Sequence, residues 1–97
     1  MITRNATVGS ASGLHARPAA LFVKAATAAP VKVRICVEGK KPVNAASMLG
    51  VLSLGATCGT AVTLETDDES SAGAEAIEAL ATLIGTDLDA EEGQADA

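Results

Sequence analysis

The 97-residue sequence contains no Trp or Tyr, and Phe22 is its only aromatic residue. Proteins that bind single-stranded nucleic acid usually stack the bases on aromatic side chains, so this composition does not suit that task. The formal net charge of −5 also disfavours binding to a phosphate backbone. We therefore expect no nucleic-acid partner.

Cysteine and histidine are equally scarce, with two isolated cysteines, Cys36 and Cys58, and a single histidine, His15. These residues lack the spacing of a metal site, and we expect neither a metal nor a cofactor. No apolar run reaches the roughly 18–20 residues that span a membrane, and the N-terminal segment has no secretory pattern. We therefore expect a cytoplasmic protein without a membrane span. One disulfide is feasible in principle, but in that compartment we expect both thiols to stay reduced.

Charge is distributed unevenly along the chain. Residues 1–48 carry seven Lys or Arg against one acid, whereas residues 49–86 carry six acids and no base. Residues 87–97 add five more acids and bury little, so we expect an acidic, disordered tail after a single domain at residues 1–86. The basic half indicates an anionic ligand or an acidic protein partner, or simply a solvated face.

Hydrophobic periodicity predicts an α+β domain with element order βαββαβα. Strand patterns occur at residues 2–8, 31–37, 42–44 and 61–65, and helix patterns begin near residue 15 or 16, at residue 48 and after the polar turn at 67–71. Gly85 is expected to stop the last helix as a C′ residue. Since each long helix has one apolar stripe, we expect a four-stranded, mainly antiparallel sheet with the helices on one face and water on the other.

His15 precedes a helix whose first turn is marked by Pro18, because proline is tolerated only where the helix lacks an N–H partner. Free backbone N–H groups and a partial positive charge make such a helix end suitable for a phosphoryl group. Arg17 adds a planar donor group for phosphate oxygens. These residues suit a reversibly phosphorylated histidine, although a surface or capping histidine is the simpler interpretation.

Two sequence blocks favour the functional interpretation. Residues 13–19, Gly-Leu-His-Ala-Arg-Pro-Ala, resemble the active-site signature of the HPr family, the histidine-containing phosphocarriers of the phosphoenolpyruvate-dependent sugar phosphotransferase system. Residues 47–55, Ser-Met-Leu-Gly-Val-Leu-Ser-Leu-Gly, resemble the family's second signature around its regulatory serine. The resemblance covers about residues 1–86 and implies the HPr-like open-faced β-sandwich, with three helices on one face of the sheet.

The resemblance also implies roles for individual residues. His15 would accept a phosphoryl group on Nδ1 from Enzyme I and pass it to a histidine of a sugar-specific IIA protein or domain. Arg17 would contact the phosphoryl group, together with the backbone N–H groups of Ala16 and Arg17. Such a chain is a monomeric carrier rather than a turnover catalyst. The residues expected to form an apolar docking rim for both partners are Ala16, Ala20, Leu21, Met48, Leu49 and Leu52, with Leu49 the one most expected to be exposed.

Ser47 aligns with the serine that an ATP-dependent kinase modifies in some branches of the family, which would link the chain to a serine kinase or a transcriptional regulator. Ala46 departs from the lysine common before the serine in that branch, and an N-cap role accounts for Ser47 without regulation.

Two other functions stay open. A regulatory module could signal through its phosphorylation state without feeding a transporter. A small hydrolase or ligand-binding sandwich would need a base or a metal cluster, and no second histidine or acid pair accompanies His15.

Overall fold

The computed structural model of the chain describes residues 1–86. The strands are β1 (Ile2–Thr7), β2 (Arg34–Val37), β3 (Val43–Asn44) and β4 (Ala61–Thr66). The helices are α1 (Ala16–Ala28), α2 (Met48–Ser53) and α3 (Ser71–Gly85). This order confirms the predicted βαββαβα pattern. The predicted disorder of residues 87–97 falls outside the described residues.

The four strands form one antiparallel sheet in the order β1-β4-β2-β3. Side chains alternate across it as strand geometry requires. Leu64 and Ile35 face each other in register and are 0% exposed, since they point towards the helices. One position further along, Arg34 and Glu65 pair on the opposite face and their side chains hydrogen-bond at 2.8 Å. The prediction of helices on one face and water on the other is confirmed.

Strand β2 is shorter than the alternation of Val31 to Val37 predicted. The predicted residues before Arg34 are not part of the strand, because β3 has only two residues to pair with β2. The carbonyl of Lys32 instead accepts a hydrogen bond from the Thr66 hydroxyl at 2.7 Å. Val33 is nevertheless 3% exposed, so the alternation identified the buried position but not the length of the ladder.

Helix α1 packs one face against the core, and this face consists of small residues and Phe22. Pro18, Ala19, Phe22 and Ala26 are its buried residues, which follows the predicted spacing. Pro18 lies in the first turn, where its missing N–H leaves no helical hydrogen bond unmade. The helix therefore begins at Ala16, immediately after His15.

The end of α3 corrects one expectation. Gly85 is the last helical residue rather than a C′ glycine, and it does not adopt a positive φ. The C-cap is Thr86, in an extended conformation, and its N–H donates to the Leu83 carbonyl. The helix stops here because it meets another segment of the chain: Gly9 N donates to the Ile84 carbonyl at 3.0 Å.

Candidate functional site

His15 lies at the top of a short exposed arch between two buried anchors. Leu14 is 1% exposed, and its N–H donates to the Ala56 carbonyl at 2.9 Å. Pro18 is buried on the other side, whereas His15, Ala16 and Arg17 are all exposed. Because both anchors are fixed in the core, the three residues between them are held at the surface in a defined place.

Gly13 provides the backbone conformation with which the chain enters this arch. Its φ is +72°, a left-handed conformation that favours glycine. A Cβ at this position would lie 2.5 Å from the Ala56 carbonyl oxygen and 2.7 Å from Thr57 Cα. The close approach allows the segment before His15 to rest directly on the backbone that follows α2.

The backbone of the arch turns sharply into α1. His15 is the N-cap in an extended conformation, and its side chain makes no capping hydrogen bond to the helix. Ala16 follows with φ 47°, the one non-glycine residue among those described that has a positive φ. That conformation costs an L-residue about 1–2 kcal/mol. The His15 side chain therefore does not cap the helix. The strained backbone conformation belongs to the adjacent residue, Ala16.

The first turn of α1 favours an anion. Its leading N–H groups have no partner within the helix, and the turn contains no acidic residue. Arg17 is carried on the same turn, two residues after His15. An exposed imidazole, a helix N-terminus and a guanidinium are therefore grouped at one point of the surface.

The predicted docking residues differ in exposure. Leu49 is 82% exposed, and with Met1 it is one of two exposed large apolar side chains among residues 1–86. Ala16 and Ala20 are exposed as well, whereas Leu21 is half-buried. Met48 and Leu52 are half-buried and pack against the core, so they support α2 as well as contributing to its surface.

Ser47 is the N-cap of α2, as predicted. Its hydroxyl oxygen accepts a hydrogen bond from Gly50 N at 3.1 Å. It lies at the start of α2, whereas the segment that contacts the His15 arch follows the end of that helix.

Sequence reasoning did not single out Lys40, which lies between β2 and β3. Its Nζ donates a hydrogen bond to the Leu54 carbonyl at 2.8 Å, at the C-terminal end of α2. A cation at this end of a helix interacts favourably with its dipole. The β2–β3 turn, through Lys40, therefore holds α2 at the end opposite Ser47. The signal in the sequence was only a lysine in a turn, with no indication of its partner.

Residues 1–86 include both cysteines of the chain. Both cysteines are free, Cys58 exposed and Cys36 half-buried. In that range no cluster of three or more His, Cys, Asp or Glu is placed to hold a metal ion. None of the three helices in the same range is long and apolar enough to cross a bilayer.

Comparison with known proteins gives a consistent answer. Residues 2–86 match the family described as "PTS HPr component phosphorylation site". The chain is 52% identical over 90 residues to the phosphocarrier protein HPr of Streptomyces coelicolor, covering 92% of this chain and 94% of the relative. It is 42% identical over 84 residues to the HPr-like protein Crh of Bacillus subtilis, covering 87% and 95% of the two chains.

Solved structures agree with this assignment. The crystal structure of HPr from Bacillus anthracis aligns with a TM-score of 0.77 at 40% identity, covering 86% of this chain and 95% of that one. The predicted family and fold are both confirmed. The chain, with its exposed histidine at the start of α1, belongs to the HPr family of phosphocarrier proteins.

Proposed function

We propose that the chain carries a phosphoryl group on His15 Nδ1 between Enzyme I and the sugar-specific IIA proteins or domains of the phosphotransferase system. The observation that carries the proposal is the exposed imidazole immediately before the first residue of α1. The 52% identity to an HPr supports it. In this proposal the chain is a substrate of one protein and a donor to the next, and it catalyses no turnover of its own.

The transfer needs little apparatus. The lone pair of His15 Nδ1 attacks phosphorus and forms an N–P bond. The bond between phosphorus and its donor atom on Enzyme I breaks, and its electron pair leaves with that atom. In this proposal the Arg17 guanidinium and the N–H groups of Ala16 and Arg17 stabilise the phosphoryl oxygens. The same donors serve the onward transfer to the IIA protein, because phosphoryl transfer depends mainly on positioning and charge stabilisation.

We assign partner docking to the apolar surface around Leu49. That side chain is 82% exposed, and α2 packs beside α1. The segment following α2 is bonded to the His15 arch through Leu14 N and the Ala56 carbonyl. A partner that covers Leu49 would therefore approach His15 as well. The remaining residues assigned to this surface are Ala16, Ala20, Leu21, Met48 and Leu52.

We also propose that Ser47 is a phosphorylation site for regulation. A phosphate on an N-cap residue is favoured by the helix dipole, and it adds about two negative charges beside the docking residues. In this location the modification would weaken partner binding.

A regulatory module on the same scaffold is the alternative function. The 42% identity to the HPr-like protein Crh favours considering it. The two functions differ in one step, since only a carrier passes the phosphoryl group on to a IIA protein.

The deciding experiment is a phosphotransfer assay with purified protein, phosphoenolpyruvate and Enzyme I from the source organism. We expect acid-labile phosphate on the chain and none on His15→Ala, which removes the only histidine. Addition of a IIA protein should then discharge it. A chain that stays unphosphorylated would refute both functions, and one that is phosphorylated but never discharged would favour the regulatory module.

We further propose that the chain works as a cytoplasmic monomer. Crh of Bacillus subtilis has a crystal structure described as a swapped dimer, and it aligns with this chain at a TM-score of 0.64. Light scattering at micromolar concentration should give a mass near 9.6 kDa for the monomer, and twice that mass would contradict this proposal.

A further inference from the structure

Lys40 is fixed by its backbone as well as by its side chain. Its N–H donates to the Val37 carbonyl at 3.0 Å, which closes the turn between β2 and β3. Gly39 precedes it with a φ of +85°, a left-handed conformation that glycine adopts readily at the third position of a turn. From this closed turn the Lys40 ammonium group reaches the Leu54 carbonyl at 2.8 Å.

The peptide group between Leu54 and Gly55 is the one that Lys40 binds. Its carbonyl belongs to the C-cap residue of α2, so the helix itself offers it no partner. Its N–H donates to the Leu52 carbonyl at 3.2 Å. Gly55 has a φ of +61°, and glycine opposes backbone rotation less than any other residue. Within the described part of the chain, loss of Lys40 would leave the bond to Leu52 to orient this peptide group.

The same stretch of chain supports the segment that contains His15. The Ala56 carbonyl, one residue after Gly55, accepts the Leu14 N–H at 2.9 Å. The two backbones are so close that a Cβ on Gly13 would lie 2.5 Å from the Ala56 carbonyl oxygen. Because Leu14 directly precedes His15, the position of the Ala56 carbonyl determines where the exposed arch begins.

Beyond Ala56, the connection from α2 to β4 is held by the residue that follows β1. Gly59 N donates to the Val8 carbonyl at 2.8 Å, and Val8 N donates to the Thr60 carbonyl at 3.0 Å. The connection is therefore attached to the sheet at one end and to Lys40 at the other. The Ala56 carbonyl lies between these two attachments.

We propose that Lys40 is a positioning residue for phosphoryl transfer, because its bond to the Leu54 carbonyl fixes the Ala56 carbonyl on which the segment before His15 rests. Lys40 needs no contact with the phosphoryl group for this role. The proposal rests on the proposed phosphocarrier function for its effect on the transfer rate. Its effect on the Leu14 amide can be measured without any partner.

The coupling follows from the order of the contacts. Without the ammonium group, the Leu54–Gly55 peptide group rotates more freely, and the Ala56 carbonyl and the Leu14 N–H move with it. A small displacement of the attacking nitrogen slows a reaction that depends on positioning. The arch takes part in both the charging of His15 and its discharge, so both steps should slow.

The kinetic test compares Lys40→Met, Lys40→Arg and Lys41→Met with the parent. Single-turnover phosphorylation by Enzyme I is measured over a range of concentrations. We expect the saturating rate of Lys40→Met to fall about three- to ten-fold with the half-saturating concentration unchanged, because the chemical step rather than docking is affected. Discharge to a IIA protein should slow as well.

The other two variants separate the hydrogen bond from the charge. Lys40→Arg keeps a donor for the Leu54 carbonyl, and it should recover most of the saturating rate. Lys41→Met removes a positive charge from the same turn, and it should transfer at the saturating rate of the parent.

Hydrogen exchange measures the structural coupling itself. The Leu14 amide should exchange faster in Lys40→Met than in the parent, and Lys40→Arg should restore the slower exchange. The Gly9 amide is the matched control, since it lies in the same loop but donates to the Ile84 carbonyl of α3 at 3.0 Å. Its exchange should stay at the parent rate in all three variants.

The outcomes separate this proposal from the carrier function. Leu14 exchange at the parent rate in Lys40→Met, or an equal acceleration at Leu14 and Gly9, would overturn the positioning role. An unchanged saturating rate with a raised half-saturating concentration in both methionine variants would overturn it too, because the lysines would then only attract the partner. A parent protein that Enzyme I cannot phosphorylate would refute the carrier function, whereas faster Leu14 exchange in Lys40→Met would still support the coupling.

Discussion

At the residue scale, the position of His15 follows from its neighbours. Leu14 and Pro18 are drawn into the core, and the arch between them exposes three consecutive residues. Phosphoryl transfer to and from other proteins requires such exposure, because the reacting nitrogen must enter the site of a partner. Arg17 lies in the first turn of α1, two residues after His15.

Arg17 can be tested separately from the fold. Arg17→Gly should slow phosphotransfer about ten-fold or more, because a charge-assisted hydrogen bond contributes about 1.5–3 kcal/mol. Arg17→Lys should recover part of the rate, since it keeps the charge but loses the planar pair of donors. Single-turnover kinetics give the rates, and urea denaturation should show a loss of about 1 kcal/mol or less for the glycine variant. Wild-type rates in both variants would remove Arg17 from the mechanism.

Gly13 offers a test of how the arch is held. Gly13→Ala should lower the free energy of unfolding by more than 1 kcal/mol, because it combines a left-handed φ with a collision against the Ala56 carbonyl. Gly39→Ala is the matched control, with a φ of +85° but nothing within 4 Å of its Cβ. Chemical denaturation of the two variants isolates the steric part of the effect. Equal losses would show that only backbone strain matters at Gly13.

At the element scale, α2 is the least self-sufficient part of the fold. A helix of six residues is not stable on its own, so its position depends on attachments. Val51 and Leu54 are buried in the core. Ser47 caps the N-terminal end of α2, and Lys40 bonds to its C-terminal end. The exposed Leu49 is therefore presented on a helix that is fixed at three places.

Ser47 variants distinguish capping from charge. Ser47→Asn and Ser47→Asp should both retain the cap and keep unfolding within a few tenths of a kcal/mol of the parent, whereas Ser47→Ala should lose about 1 kcal/mol. Only Ser47→Asp adds a negative charge beside Leu49. We expect a higher KM for Enzyme I with Ser47→Asp than with Ser47→Asn. The same KM for both would contradict the regulatory role proposed for Ser47.

Lys40 can be tested by removing its ammonium group. Lys40→Met keeps most of the side-chain length but cannot donate to the Leu54 carbonyl, so we expect a loss of about 0.5–1.5 kcal/mol. Lys41→Met is the control, since it removes a charge from the same turn. Hydrogen exchange of the α2 amides should accelerate in the Lys40 variant and not in the control. Unchanged exchange in both would show that Val51 and Leu54 alone hold the helix.

At the whole-molecule scale, the sheet joins segments that are far apart in sequence. Arg34 on β2 bonds to Glu65 on β4 and to Asp67 just beyond it, at 2.8 and 3.1 Å. The guanidinium holds the pKa of Asp67 below its ordinary value of 3.8. Hydrogen bonds from the Ser70 hydroxyl and amide lower the pKa of Asp68 in the same turn. The turn between β4 and α3 is therefore stabilised by ionised carboxylates.

The lowered pKa values of these carboxylates predict how the stability of the fold falls at acidic pH. A lowered pKa means that the stabilisation is complete above the ordinary value of 3.8 and is lost as the pH falls through the still lower folded value. Asp67→Asn should flatten the fall of the melting temperature between about pH 4 and pH 2. Glu69→Gln, which removes the partner of the Met1 ammonium, is a control for a general charge effect. An identical acid limb in Asp67→Asn and the parent would contradict the prediction.

Local patterns predicted the elements better than their pairing. The starts of α1 and α2 were predictable because Pro18 and Ser47 act on their own neighbours in sequence. The strand order β1-β4-β2-β3 and the shortening of β2 depend on contacts such as Thr66 with Lys32, which no local pattern contains. The positive φ of Ala16 was not predictable either, because alanine gives no local signal for that conformation.

The outer face of the sheet contributes no residue to the proposed transfer site or to the proposed docking surface. Thr3, Glu65, Arg34 and Asn44 run across it in one row, on the side away from the helices. Immobilisation or fluorescent labelling through this row would leave His15 and Leu49 accessible. A surface-bound form of the protein could therefore measure association with each proposed partner while keeping His15 in solution.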